Sequence, residues 1–99
     1  MRKDLPIGVV CAQLCHAAGE SSPGNLPPNT RAVVLAARSE NELERLSVRL
    51  SKNNINHMAI REPDSPWNGA LMAIGIVPVL DRKPVRKLLS QLPLFREVS

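Results

Sequence analysis

The sequence predicts an α/β fold: a three-layer-type sandwich built on a four-stranded mixed β-sheet with helices on both faces, in the order β-α-β-α-β-β-α. Three observations lead there. Short apolar, β-rich runs recur along the chain as "LPIGVV", "RAVVLAA", "INHMAI" and "ALMAIGIVPV". Segments with the three-to-four spacing of an amphipathic helix lie between or after them. At 99 residues, 43% hydrophobic and 22% charged, the chain is too short for a second core and too apolar to stay unfolded, so residues 1–99 form one domain.

Leu5–Val10 is apolar on both faces, which suits a central strand covered from either side. From Cys11 the residues turn small, and Ala12, Ala17 and Ala18 predict a first helix lying close against the sheet and ending near Gly19. "ESSPGNLPPNT" is a loop, with three prolines, a glycine and two asparagines. Arg31–Ala37 reads as a second buried strand. In "SENELERLSVRLSKNN", Ser39 and Glu42 have the spacing of a capping box, and Leu43, Leu46 and Leu50 form the apolar stripe of a second helix.

"INHMAI" alternates as a third strand, "REPDSPWNG" is a turn, and "ALMAIGIVPV" is a fourth strand that Pro78 ends. The last helix has Asp81 as a cap, Pro84 in its first turn, and Val85, Leu88, Leu89 and Leu92 as its buried face. The first two crossovers imply parallel neighbours, and the short third link implies an antiparallel pair.

Composition narrows the function classes. Trp67 and Phe95 are the only aromatic residues, so a surface paved with base-stacking rings is excluded and nucleic-acid contact would be mainly electrostatic. A net charge of +4 permits a polyanionic partner without requiring one. Cys11 and Cys15 are the only thiols; they share one helix face, build no disulfide framework and fit a reducing cytoplasm. Arg2, Lys3 and the following apolar run imitate a secretory signal, but Asp4, Pro6, Gln13 and His16 break the pattern. The uncharged stretch 65–80 is too short to span a bilayer, so the chain reads as a soluble protein.

Several groups can carry chemistry. Cys11 and Cys15, four apart on a helix, could share a metal, but His16 is turned about 100° from Cys15 and His57 is the only other candidate ligand. The expectation is therefore no metal and no cofactor, with the cysteines packed as small side chains on the sheet. A nucleophilic cysteine at a helix start, with His16 as base, is a second option. Arg82, Lys83, Arg86 and Lys87 fall at i, i+1, i+4 and i+5, one outward stripe able to hold phosphates, or simply a solvated face.

Taken together, a "GxxxAQxxHA" helix start (Gly8, Ala12, Gln13, His16, Ala17), "AVVLAARSENELERL" at 32–46 and "AIGIVPVLDRKPVRKLLSQLPLF" at 73–95 resemble the peptidyl-tRNA hydrolase II family. The resemblance spans about Leu5 to Phe95. It implies an enzyme that cleaves the ester between a peptide and the terminal ribose of tRNA. Such a reaction needs activated water, stabilisation of the developing oxyanion and cations for the phosphates. Gln13 and His16 match the family directly. Val9 and Ala36 stand where the family has lysines, and Glu62 or Asp64 in "REPD" stands in for the family's aspartate turn.

The resemblance thus implies a cleft between the start of the first helix and the 60–69 turn. Gln13 would orient substrate or water, His16 would donate or relay a proton, and Glu62 or Asp64 would act as base, with tRNA held by Arg82, Lys83, Arg86 and Lys87. The alternative is a catalytically inactive or repurposed member that binds RNA or a protein. Trp67 is either a lid over the cleft or the anchor of a homodimer, which an edge strand could also join.

Overall fold

Pro6 enters in an extended conformation, and from Ile7 the chain winds into α1 (Ile7–Ser21). The computed structural model describes residues 1–96 and continues with α2 (Glu40–Lys52), β1 (His57–Glu62), β2 (Ala70–Ile76) and α3 (Lys83–Leu89). Residues 97–99 of the expected 1–99 domain lie outside the described residues. The order is α-α-β-β-α, and the named strands make one two-stranded antiparallel sheet.

This corrects the four-stranded sandwich in two places. Leu5–Val10 is not a central strand; most of it is the first turn of α1. A short apolar run suits a buried strand and a buried helix equally, and the deciding spacing lies downstream. Val10, Gln13, Ala17 and Ser21, three and four apart, are the buried residues of α1. Arg31–Ala37 is not a strand either. Val33 is 66% exposed, and only Leu35 and Ala37 pair, each through a single bridge, to Leu94 (antiparallel) and Arg2 (parallel). Both partners are short. The 1–3 segment is diverted into α1, and Pro93 has no N–H to extend a ladder.

β1 and β2 hold the register. Ile60 faces Ala73 while Arg61 faces Leu71, so Met72 is a bulged extra residue that shifts the phase of β2. Met72, Ala73 and Ala70 accordingly join the cluster of Val10, Ala17 and Ile60 beneath α1. Leu71, Ile74 and Ile76 join Leu43, Leu46 and Leu50 of α2 on the other face. Gly75 lies directly under α1, where a Cβ would collide with the Ala17 carbonyl and the Ser21 side chain.

The bulge also frees the backbone of Leu71, and two opposite charges take it up. Leu71 N–H donates to Glu40 Oε2 at 2.8 Å, and its carbonyl accepts from Arg2 Nη1 at 3.1 Å. Arg2 is itself clamped by both oxygens of Asp4, each at 2.9 Å. One buried guanidinium thereby ties the chain start to the bulge.

α2 begins as its sequence demands, with Ser39 Oγ accepting from Glu42 N–H at 3.3 Å. The return bond of the box goes one residue further back, from Arg38 N–H to Glu42 Oε1 at 3.2 Å. In α3 the N-cap is Arg82, whose side chain makes no cap bond; Asp81, expected as the cap, lies one residue earlier and its Oδ1 accepts from Lys83 N–H at 3.1 Å. Val85, Leu88, Leu89 and Leu92 pack against the α2 cluster but stay half-buried rather than forming a buried face.

Candidate functional site

Strand alternation decides which side chains of β1 can meet which helix. Ile60 and Glu62 point toward α1, while His57 and Arg61 point toward α2. At the α1 side Gln13, only 4% exposed, donates from Nε2 to Glu62 Oε2 at 3.2 Å. The other carboxylate oxygen, Oε1, accepts from Asp64 N–H at 3.2 Å. Glu62 is half-buried, so both oxygens are fixed by a donor and retain lone pairs for water.

The turn after Glu62 is braced along its length. Trp67 and Asn68 N–H groups donate to the Asp64 carbonyl at 2.9 and 3.1 Å, Gly69 N–H to the Glu62 carbonyl at 2.7 Å, and Ala70 N–H to the Trp67 carbonyl at 3.0 Å. The chain can reverse so tightly because Asn68 and Gly69 take positive φ values of 49° and 89°, conformations that asparagine and glycine tolerate best. Trp67 packs its ring on the α1 cluster.

Of the four residues expected to form the reactive centre, the structure brings together Gln13 and Glu62. Asp64 adds its backbone N–H, while its side chain is exposed. His16 sits one turn beyond Gln13, roughly 60° round the helix. Its side chain is 62% exposed and lies 3.9 Å from Glu20, so it is neither a core histidine nor a partner of Glu62. Cys11 and Cys15 are free and exposed on the outward side of α1, not packed on the sheet. Among the described residues no three His, Cys, Asp or Glu side chains gather to hold a metal.

Arg82, Lys83, Arg86 and Lys87 are all exposed, and among the described residues none of them forms an ion pair. They flank the half-buried Val85, Leu88 and Leu89, which pack on the α2 side. The cationic helix and the Gln13–Glu62 pair therefore belong to opposite faces of the sheet.

Sequence reasoning missed one polar cluster. Ser47 Oγ lies 3.0 Å from His57 Nε2, and His57 Nδ1 lies 2.9 Å from the Ile55 carbonyl. A carbonyl only accepts, so Nδ1 carries a proton, while the serine hydroxyl, which both donates and accepts, can pair with Nε2 in either ring state. With Arg61 bonded to Glu44 at 2.8 Å, this clips β1 to α2. Counting faces along α2 and β1 gives the only sequence signal, since Ser47 and His57 are ten residues apart.

No helix among the described residues is long and apolar enough to cross a membrane. Comparison with models of known families, with curated proteins and with solved structures returns no match.

Proposed function

We propose that the protein hydrolyses the ester of peptidyl-tRNA at the Gln13–Glu62 pair. The observation that carries the reading is the 3.2 Å hydrogen bond from Gln13 Nε2 to Glu62 Oε2. It joins the helix motif of the family resemblance to the acidic turn, 49 residues apart in the chain.

In this reading Glu62 is the general base. It takes a proton from a water that adds to the ester carbonyl; the tetrahedral intermediate then expels the ribose oxygen, and the proton held on Glu62 is returned to that leaving group. Gln13 is a positioning residue that keeps the carboxylate aimed, and Asp64 contributes through its N–H. His16, exposed beside Glu20, makes no hydrogen bond or ion pair with the pair among the described residues, and His16→Ala is expected to lower turnover less than tenfold.

The exposed cations of α3 support a role in holding phosphates. Their position on the opposite face is compatible with a tRNA, which is far longer than a protein of 37 × 31 × 25 Å and can touch both faces. Two exposed thiols that are unpaired suit a reducing cytoplasm.

The test measures hydrolysis and tRNA binding in the same preparations. Glu62→Gln should lower the hydrolysis of an N-blocked aminoacyl-tRNA at least hundredfold while leaving tRNA affinity unchanged. Arg86→Ala with Lys87→Ala should weaken binding and reduce the slope of log affinity against log salt by roughly 2. Full activity in Glu62→Gln would refute the assignment of the base.

A further inference from the structure

β1 is paired along one edge only. Among the described residues no strand or isolated bridge lies along its other edge. The phase of the ladder says which residues face outward. Val77 N–H donates to the Asn56 carbonyl at 3.1 Å and Gly69 N–H to the Glu62 carbonyl at 2.7 Å. The even-numbered residues of 56–62 therefore turn their backbone groups toward β2, and the N–H and carbonyl groups of His57, Ala59 and Arg61 point away from it.

Open edges are ordinarily blunted by a proline, by charged side chains or by a bulge. Here the bulge lies in β2, Pro63 falls just beyond the strand, and the two polar side chains are drawn onto α2, Arg61 to Glu44 at 2.8 Å and His57 to Ser47 at 3.0 Å. Ala59 between them is small and exposed. Met58, 39% exposed, lies on the α1 face beside the buried Ile60.

We propose that this edge is the interface with a second copy of the chain, β1 pairing antiparallel with β1 about a two-fold axis at Ala59. In this register each outward N–H of one copy meets an outward carbonyl of the other, Ala59 opposite Ala59 and His57 opposite Arg61. On the α1 face Met58 of each copy lies against Ile60 of the other, which covers the exposed methionine with apolar surface. On the α2 face Arg61 arrives opposite His57 with its charge already matched by Glu44. Neighbouring registers lack this fit. Centring on Ile60 sets Met58 against the Glu62 carboxylate and His57 against Pro63, which has no N–H. Centring on Met58 sets Arg61 against Ile55, whose N–H and carbonyl are already engaged by Leu50 and His57. The axis stands perpendicular to the sheet, so both Gln13–Glu62 pairs share one face of the joined sheet. The interface does not depend on the hydrolase reading.

Sedimentation and a cross-link test it. The wild type should show a dimer that grows with protein concentration. Ala59→Pro removes an N–H that points away from β2, so it should keep the wild-type circular dichroism and sediment as a monomer at the same concentrations. The cross-link reads the interface without that variant. In a background of Cys11→Ser and Cys15→Ser, Ala59→Cys should form an intermolecular disulfide under mild oxidation, because facing residues of a hydrogen-bonded pair have Cα atoms about 5.5 Å apart. Met58→Cys should not, since its counterpart is a diagonal neighbour at about 7–8 Å. A wild type that is monomeric throughout, which would leave the edge to a foreign strand, would overturn the proposal. So would a folded Ala59→Pro that dimerises like the wild type, or equal cross-linking at the two positions.

Discussion

Arg2 shows how much one side chain can organise. Its guanidinium, in a side chain 10% exposed, binds Asp4 through two nitrogens and the Leu71 carbonyl through the third. Removing it strands a carboxylate and a carbonyl freed by the β2 bulge. Arg2→Met is expected to destabilise the protein by about 2 kcal/mol, read as a lower urea midpoint with an unchanged m-value. The hydrogen bond from Arg2 also holds the Asp4 carboxyl below its ordinary value of 3.8. Its contribution is present above that pH and lost as pH falls through the lowered value.

The α-amino group next to it has the opposite cost. Burial lowers the Met1 ammonium from 8.0 to about 6, while it donates to the Leu35 carbonyl at 3.1 Å. Between these values the unfolded chain binds more protons than the folded one, so stability rises as pH increases from about 6 to about 8. The gain is on the order of 2 kcal/mol, and below both values the cost is fully felt. Thermal melts across this range should show the rise in the 99-residue chain, and acetylating the α-amine should abolish it.

At the scale of elements, the closest approach is between α1 and β2. Gly75 has no side chain where the Ala17 carbonyl and Ser21 press against the strand, so Gly75→Ala must push helix and strand apart. The expected loss is roughly 1–3 kcal/mol, visible as a lower melting temperature. A loss below half of that would mean that α1 slides without resistance. α2 was legible from its sequence because local signals agree: Ser39 caps it, and Leu43, Leu46 and Leu50 share one stripe. The two named strands were legible in outline, β1 from the alternation of "INHMAI" and β2 as an apolar run before Pro78, but β1 starts at His57 and extends through Arg61 and Glu62, which the sequence assigns to the turn. α1 was legible from Cys11 to near Gly19, but not its first turn, because Leu5–Val10 is apolar all round and carries no period of its own. The 31–37 run was misread for another reason: strand propensity describes what a segment could pair with, and here its partners supply only single bridges.

At the scale of the molecule, β1 and β2 separate two chemistries. One face carries Gln13, Glu62 and Trp67 beneath and beside α1; the other carries α2, the Ser47–His57 clip and the cationic α3. Gln13 and Glu62 could be named from sequence because the helix motif and the acidic turn each stand out. Their contact could not, since it depends on Glu62 ending β1 on the same face as Ile60, beneath α1. His16 differs for a geometric reason: it lies about 60° round the helix from Gln13 on the side away from Val10, Ala17 and Ser21, so Gln13 stands at the edge of the buried stripe and His16 beyond it in solvent.

The central claim is that Gln13 and Glu62 act as one unit. The most direct measurement is kcat/KM for peptidyl-tRNA in Glu62→Gln, Gln13→Ala and the double variant. A base and the residue that aims it should be non-additive, so the double variant should be no slower than Glu62→Gln alone. Losses that multiply, or single variants as fast as the wild type, would contradict the account.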